Sequence, residues 1–388
     1  MRIALDYTAA IRQGAGIGSY VRNLFAAMLQ QDTETRYTLL TSGRPTKDHP
    51  FPEAENVVGR SMLLPDRYLN ILWYRWHTPL LPATLFTGPI DIYHNPDFAL
   101  PPLGSKVRKV VTIHDLAFLE HPEYAVPSLT AYLNKVVPEA VAAADVVATV
   151  SHEVGRTLVK HFQTPQEKLT VIPNGVGAHF RRITDPIILG ATQHKFNLKT
   201  PFVLAVGTLE PRKNHIGLIK AFYKAQQKKN GPTMLAIAGG QGWLYEETKQ
   251  LVMDLKLEKK VRFLGRVTDL ELVTLYSIAT LFAFPSFFEG FGVPPIEAMA
   301  CGTPVITSNV SALPEVAEGA ALLVDPYDID ALADAIIRLT QDENLREGLR
   351  QKGYERVKQY TWAMSAQKML TVYQKLYNGE KNFNTEDK

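Results

Sequence analysis

The chain has 388 residues, 46% of them apolar and 21% charged, and a formal net charge of +3. It is long enough for two packed cores, its charge is too small to make nucleic acid the main partner, and the single Cys301 excludes a disulfide framework. Arg2 brings a charge before any signal-peptide apolar region can form, and no apolar run approaches the roughly 20 residues of a membrane span, so the expectation is a cytoplasmic protein.

Residues 3–7 read as a first strand. A glycine loop follows, Gly14-Ala15-Gly16-Ile17-Gly18-Ser19, then a helix from about Ser19 through Val21, Leu24, Ala27 and Met28, and a second strand over 37–41. The glycines have G-x-G-x-G spacing and lie some way past the strand, so they do not form a dinucleotide fingerprint. They form either a flexible turn or a backbone surface that a ligand approaches closely. Residues 64–81 carry Trp73, Tyr74 and Trp76 among Arg67, Arg75 and His77. Such a helix can lie on a membrane surface, line an acceptor groove, or pack on a sheet with its arginines snorkelling.

Residues 91–94 and 109–115 are two more strands, and the second reads as a buried parallel strand with His114 and Asp115 at its C-terminal end, where open α/β sheets place ligands. A helix over 128–144, a strand over 145–151, a helix through Val154, Leu158 and Val159, and a strand beginning at Leu169 follow. Residues 177–200 lack periodicity and read as an interdomain connection. A second strand–loop–helix series then begins. Its strands fall at 202–207, 234–240, 261–265, 281–284, 305–307 and 321–326, with Asp269 as a helix cap and helices from Asp328 and Asn344. The last helix, 362–376, is amphipathic and can cross back to the first domain, and the polar end 378–388 reads as frayed.

The densest local grammar lies between Phe284 and Ile306. Pro285 ends a strand, a Gly-rich turn follows, and a short helix has Pro295 in its first turn and Gly302 as its stop. Pro294 and Pro295 have no N–H, so the free backbone donors near the helix start are Phe291, Gly292 and Val293, with Ile296 behind them. Glu289 lies on the loop and Glu297 in the expected first turn, where a carboxylate suits the helix dipole. Two acids bracketing a nest of donors suit a charged, hydroxyl-rich ligand such as a nucleotide sugar. The same residues also make a well-capped helix with two surface acids and Cys301 as core filling. Two βα series joined by a connection predict an α/β protein: two Rossmann-like domains facing across a cleft.

The run from Glu289 to Val305 resembles the E-x7-E signature of the retaining glycosyltransferases of family 4, which have the two-domain GT-B fold. G-T-L-E-P-R-K-N from Gly207 to Asn214, V-I-P-N-G-V from Val171 to Val176 and F-L-G-R-V from Phe263 to Val267 support the resemblance in order along nearly the whole chain, most like bacterial mannosyltransferase members. It implies an acceptor-binding domain over 1–176 with a returning helix at 362–377, and a nucleotide-sugar donor domain over 177–361. It places Glu289 against the donor sugar, Glu297 on the ribose hydroxyls, and Arg212 and Lys213 on the diphosphate. Phe291, Gly292 and Val293 would hold sugar hydroxyls or the distal phosphate through their N–H groups, Arg266 and Val267 would border the base, and Gly207 would belong to the donor loop. From the first domain Gly16, with Gly18, would approach the phosphates, and His114 would reach the transferred sugar.

Two departures stand out. Thr208 occupies a position where many members have Arg, which shifts the diphosphate load onto Arg212 and Lys213, and Gly177 follows N-G-V where many have Asp. No convincing D-x-D motif is present, so the expectation is transfer without metal or cofactor, with side-chain cations and a helix N-terminus stabilising the departing diphosphate. Retention is expected through front-face attack, with Glu289 as nucleophile the other route. The resemblance implies a GDP- or UDP-sugar donor, mannose from GDP-mannose first, and a saccharide or lipid-linked saccharide acceptor. The small net charge predicts no nucleic-acid partner, and the N-terminus with the aromatic and basic segment 64–81 predicts a cytoplasmic location with peripheral contact at the inner face of the membrane as one option. Rival readings are a UDP-glucose-type donor, a nucleotide-sugar epimerase, an NAD-dependent dehydrogenase and a non-catalytic sugar-binding module.

Overall fold

The computed structural model describes residues 1–14, 16–63, 66–75, 82–242 and 245–383. The chain divides into two compact units, Met1–Gly175 together with Trp362–Lys388, and Val176–Thr361. Each is an α/β unit on a parallel sheet, as the alternating pattern predicts.

Among the described residues of unit 1, the strands are β1 Arg2–Asp6, β2 Arg36–Ser42, β3 Val57–Met62, β4 Ile92–Asn95, β5 Arg108–Ile113, β6 Val146–Thr149 and β7 Leu169–Val171, in the order β3-β2-β1-β4-β5-β6-β7. All neighbours pair in parallel, with Leu5 opposite Leu39 on one side and His94 on the other. Strands β4 and β6 are buried throughout; β6 accordingly reads as an apolar run, while β4 also buries His94 and Asn95. Strand β3 had no such signature: it lies at the sheet edge and exposes most of its residues. A short helix, Thr8–Arg12, fills the stretch between β1 and the glycines, and the Asp6 carboxylate accepts the Thr8 N–H at 2.9 Å to start that turn.

The helix Trp362–Tyr377 belongs to this unit and packs on the helix Ile17–Leu29. Its Tyr373 hydroxyl meets His94 Nδ1 at 2.6 Å, and Ser365 donates to the Pro173 carbonyl at 2.7 Å. Of the tail expected to fray, Phe383 is buried and donates its N–H to the Glu167 carbonyl, and residues 384–388 lie outside the described residues. In the aromatic and basic segment, Asp66–Leu69 is α-helical and Asn70–Arg75 forms a π-helix. Trp73 is buried in a core cluster with Ala4, Leu40 and Tyr93, so it is unavailable to a membrane or a groove. Trp76 and His77 lie outside the described residues.

In unit 2 the strands are β8 Phe202–Val206, β9 Met234–Ala238, β10 Val261–Gly265, β11 Leu281–Phe284, β12 Val305–Ser308 and β13 Ala321–Val324, in the order β10-β9-β8-β11-β12-β13. Residues 177–200 are not a bare connection. They include the helix Pro186–Phe196, capped by Asp185, begun with Pro186 and stopped by Asn197 in a left-handed conformation, and it packs on the helix Asp269–Ile278. The cap of that second helix is Thr268, not Asp269: the Thr268 hydroxyl and the Glu271 carboxylate form a reciprocal capping box. Val176 bridges Thr361 where the chain enters and leaves the unit. Among the described residues no helix is long and apolar enough to cross a membrane.

Candidate active site

Strand β11 pairs directly with β8, so the loops at their C-terminal ends are neighbours although they lie far apart in sequence. The loop after β8 ends in a 3-10 turn, Pro211–Lys213, stopped by Asn214 at φ 54°. The Asn214 carboxamide accepts the Gly217 N–H and donates to the buried Pro326 carbonyl at 2.7 Å, which fixes the position of Lys213 just before it. The two loops are joined by a backbone hydrogen bond from Phe287 N–H to the Arg212 carbonyl.

Glu289 is held between the two cations. One carboxylate oxygen accepts from Lys213 Nζ and the other from Arg212 Nη1, each at 2.6 Å. Arg212 also donates to the Phe288 carbonyl and to Glu210 Oε1, and Lys213 Nζ stands 4.8 Å from the centre of the Phe284 ring. Glu289 is 8% exposed, so it is not the surface acid of the simpler reading. Burial pushes its pKa up, but the charges of Arg212 and Lys213 overcome this and bring it down to about 2. Burial lowers the Lys213 pKa, and the adjacent Arg212 charge adds to that, against the pull of Glu289.

The helix after β11 is Val293–Ala300, with Gly292 as its N-cap at φ 104°. A Cβ at Gly292 would lie 2.6 Å from Leu313 Cδ2, so both conformation and space demand glycine here. The Glu289 N–H donates to Ser311 Oγ at 3.0 Å, pinning the turn from the other side. Because the helix begins at Val293, Glu297 lies beyond the first turn and not within it as expected. There it accepts a 3.2 Å hydrogen bond from the Tyr276 hydroxyl. Burial raises its pKa to about 7, with nearby Asp269 adding to the rise and the Tyr276 bond opposing it.

The remaining unit 2 residues are placed as follows. Phe291 is buried with its ring edge-on to Tyr360, which leaves only its backbone for a ligand. Arg266 is exposed beside Gly240, and Val267 packs partly on the core. Gly207 lies against the Lys213 stem, and a Cβ on Gly239 would come within 2.0 Å of the Gly207 carbonyl oxygen, so these two strand ends require close backbone approach.

His114, Gly16 and Gly18 belong to unit 1. His114 Nε2 faces the Pro96 carbonyl at 2.7 Å; a carbonyl only accepts, so Nε2 carries the proton and Nδ1 the lone pair. Burial lowers its pKa, and Tyr20 and Phe98 pack edge-on to its ring. Gly16 caps the helix Ile17–Leu29 at φ 60°. Gly18 lies inside that helix, where a Cβ would collide with the Gln13 and Ala9 carbonyls, so helix packing accounts for this glycine. Arg22 donates to the carbonyls of Ala10, Gln13 and Gly14, which holds the chain leading up to Gly14; Ala15 lies outside the described residues.

Four supporting residues carried no assignment from sequence: Glu210, Asn214, Tyr276 and Ser311. Glu210 and Asn214 flank the cation pair in the chain, so their spacing was a usable signal. Tyr276 and Ser311 reach the acids only through folding and had none.

Residues 191–356 match the family described as Glycosyl transferases group 1, and residues 14–179 match Glycosyltransferase Family 4. The chain is 34% identical over 286 residues to O-antigen chain mannosyltransferase B of Escherichia coli, covering 74% of each chain. It is 34% identical over 234 residues to O-antigen chain mannosyltransferase RfbU of Salmonella typhimurium, covering 60% of this chain and 61% of the relative. It is also 27% identical over 300 residues to the E. coli serotype-specific mannosyltransferase WbdA, spanning 76% of this chain but 36% of that protein. Among solved structures, sucrose-phosphate synthase from Thermosynechococcus elongatus superposes with a TM-score of 0.77 at 22% identity, over 98% of this chain and all of that one. WaaG, a glycosyltransferase involved in lipopolysaccharide biosynthesis, superposes at 0.72 and 16% identity, over 96% and 99%. The fold is therefore GT-B.

Proposed function

We propose that this chain, which belongs to glycosyltransferase family 4 and the group 1 glycosyl transferases, transfers mannose from GDP-mannose to a saccharide acceptor with retention of anomeric configuration. That it is a glycosyltransferase follows from the family; the donor, the stereochemistry and the acceptor are the proposal. The carrying observation is Glu289 set between Arg212 and Lys213 on adjoining strand-end loops.

In this reading Arg212 and Lys213 neutralise the diphosphate as it departs, in a partly buried site where a cation stabilises developing charge far more than it would in water. The backbone N–H groups of Phe291, Gly292 and Val293 add donors at the start of a helix. Glu289 faces the sugar, Glu297 takes the ribose hydroxyls, and Arg266 and Val267 border the base. His114 offers Nδ1 as acceptor to a sugar hydroxyl. With cations already in place no metal is required. In front-face substitution the departing diphosphate oxygen takes the proton of the attacking acceptor hydroxyl, so no enzyme base is needed on that face. The names of the mannosyltransferase relatives support mannose, and the O-antigen chain in those names supports a saccharide acceptor; a lipid-linked saccharide is the other acceptor form in this proposal. A UDP-hexose donor is the second reading, favoured by the structural likeness to Anabaena HepE, solved with UDP and glucose, at a TM-score of 0.71 and 19% identity.

The test is a thermal-shift panel of GDP, UDP, ADP and their hexose conjugates, since a ligand that binds the fold raises its melting temperature by mass action. It is followed by transfer to methyl α-mannoside in the presence of EDTA, with the product anomer read by NMR. GDP-mannose should give the largest shift and an α-product. Stabilisation by no nucleoside diphosphate would remove the assignment.

A further inference from the structure

Tyr327 lies on the turn after β13, and its side chain is 63% exposed although it is large and aromatic. Its ring is stacked on Phe287, with centroids 4.7 Å apart and planes 26° apart. The turn is rigidly held. Tyr327 N–H donates to Asp325 Oδ1 at 2.9 Å, and Asp328 N–H donates to the Asp325 carbonyl. The Pro326 carbonyl accepts from Asn214, which directly follows Lys213 in the chain. Phe287 is itself bonded through its N–H to the Arg212 carbonyl and lies two residues before Glu289. The exposed ring thus rests on the loop that carries Glu289, and the turn that bears it is tied through Pro326 to the loop that carries Arg212 and Lys213.

An aromatic face left open to water at this place is the shape that the apolar C–H face of a pyranose ring covers, with the phenol oxygen left free to meet a sugar hydroxyl. With its face stacked on Phe287 and the backbone of its turn hydrogen-bonded, the ring loses little freedom when a sugar covers it. We propose that Tyr327, backed by Phe287, is a stacking platform for a pyranose ring of the saccharide acceptor, and so a determinant of acceptor specificity. This rests on the glycosyl-transfer reading above. The donor hexose is a less suitable occupant, because Glu289 and the cations already define its place.

The experiment compares wild type with Tyr327→Ala and Tyr327→Phe. Transfer from GDP-mannose to methyl α-mannoside and to α-mannobiose gives the acceptor and donor KM separately, and the GDP thermal shift reports the donor site. Saturation-transfer NMR with the methyl mannoside, glucoside and galactoside reads pyranose contact without requiring turnover. Tyr327→Ala should raise the acceptor KM roughly five- to tenfold and weaken the saturation transfer, with donor KM and GDP shift unchanged, while Tyr327→Phe stays within about twofold of wild type. An unchanged acceptor KM in Tyr327→Ala overturns the proposal, as does a rise in donor KM, or a wild type that shows saturation transfer to none of the three pyranosides. A wild type stabilised by no nucleoside diphosphate instead removes the reading beneath it.

Discussion

Replacing Glu289 by Gln keeps the side-chain volume and removes the one negative charge that both Arg212 and Lys213 contact. The folded carboxyl titrates at about 2 against an ordinary 4.5, so its ionised form stabilises the fold by roughly 3 kcal/mol. Because the folded value is the lower one, this stability is fully present above pH 4.5 and is lost as pH falls toward 2. At pH 7 the Gln variant should therefore melt roughly 6–12 °C lower, taking about 2–4 °C per kcal/mol for a domain of this size. The gap should narrow as the pH is lowered from 5 toward 3, where wild type loses the same interaction. A diphosphate that engages Arg212 and Lys213 has to share them with Glu289, and in the variant that competitor is gone while Glu210 still holds Arg212. GDP should then raise the melting temperature of the variant by more than it raises that of wild type, even though transfer is lost. Differential scanning fluorimetry at several pH values, with and without GDP, reads both effects. A variant that melts within a degree of wild type at pH 7, or a gap that widens on acidification, would refute the ion-pair reasoning.

Lys213→Ala should slow transfer by roughly 100- to 1000-fold, the range for losing one donor that stabilises developing charge; a near-normal kcat would remove Lys213 from the diphosphate. Glu297, raised to about 7, costs the fold stability as pH rises from 4.5 through 7, so Glu297→Gln should be more stable than wild type at pH 8 and equal to it at pH 4. Its donor KM should rise more than its kcat falls if the carboxylate holds ribose; the reverse pattern in steady-state kinetics would place it at the reacting carbon. Gly292→Ala forces a Cβ into Leu313 at φ 104° and should cost at least about 2 kcal/mol in urea unfolding.

What was legible in the sequence follows what is locally determined. Strands such as β8 and β11 lie inside the sheet and are almost wholly buried, so burial writes itself as an unbroken apolar run. Strand β3 at the edge and the helix Pro186–Phe196 have no such burden, since most of their residues face water. The Asp185-Pro186 start of that helix was readable as a cap followed by a first-turn proline, but it was not matched to any amphipathic face. The loops of the candidate site were legible one at a time, as glycine and proline chemistry. Their union was not, because it depends on β11 inserting beside β8 in the sheet order, which joins residues 212 and 213 to residue 289.

Glu297 shows how little displacement is needed to change the chemistry inferred. In a helix beginning near Pro295 it would sit in the first turn, where unpaired N–H groups and the dipole favour the ionised carboxylate and lower its pKa. The helix begins at Val293, directly after Gly292, whose left-handed φ of 104° glycine adopts without strain. Two residues of shift take Glu297 off the donor end and against Tyr276, where burial dominates and the pKa rises to about 7. A carboxyl in that position is half-ionised near neutrality, so a ligand presenting two hydroxyls to it would draw it to the charged form. Donor binding through Glu297 should accordingly release a proton, and the GDP affinity should strengthen as the pH is raised from 6 to 8. Titration calorimetry in buffers of different ionisation enthalpy measures that proton directly, and its absence would separate Glu297 from the ribose.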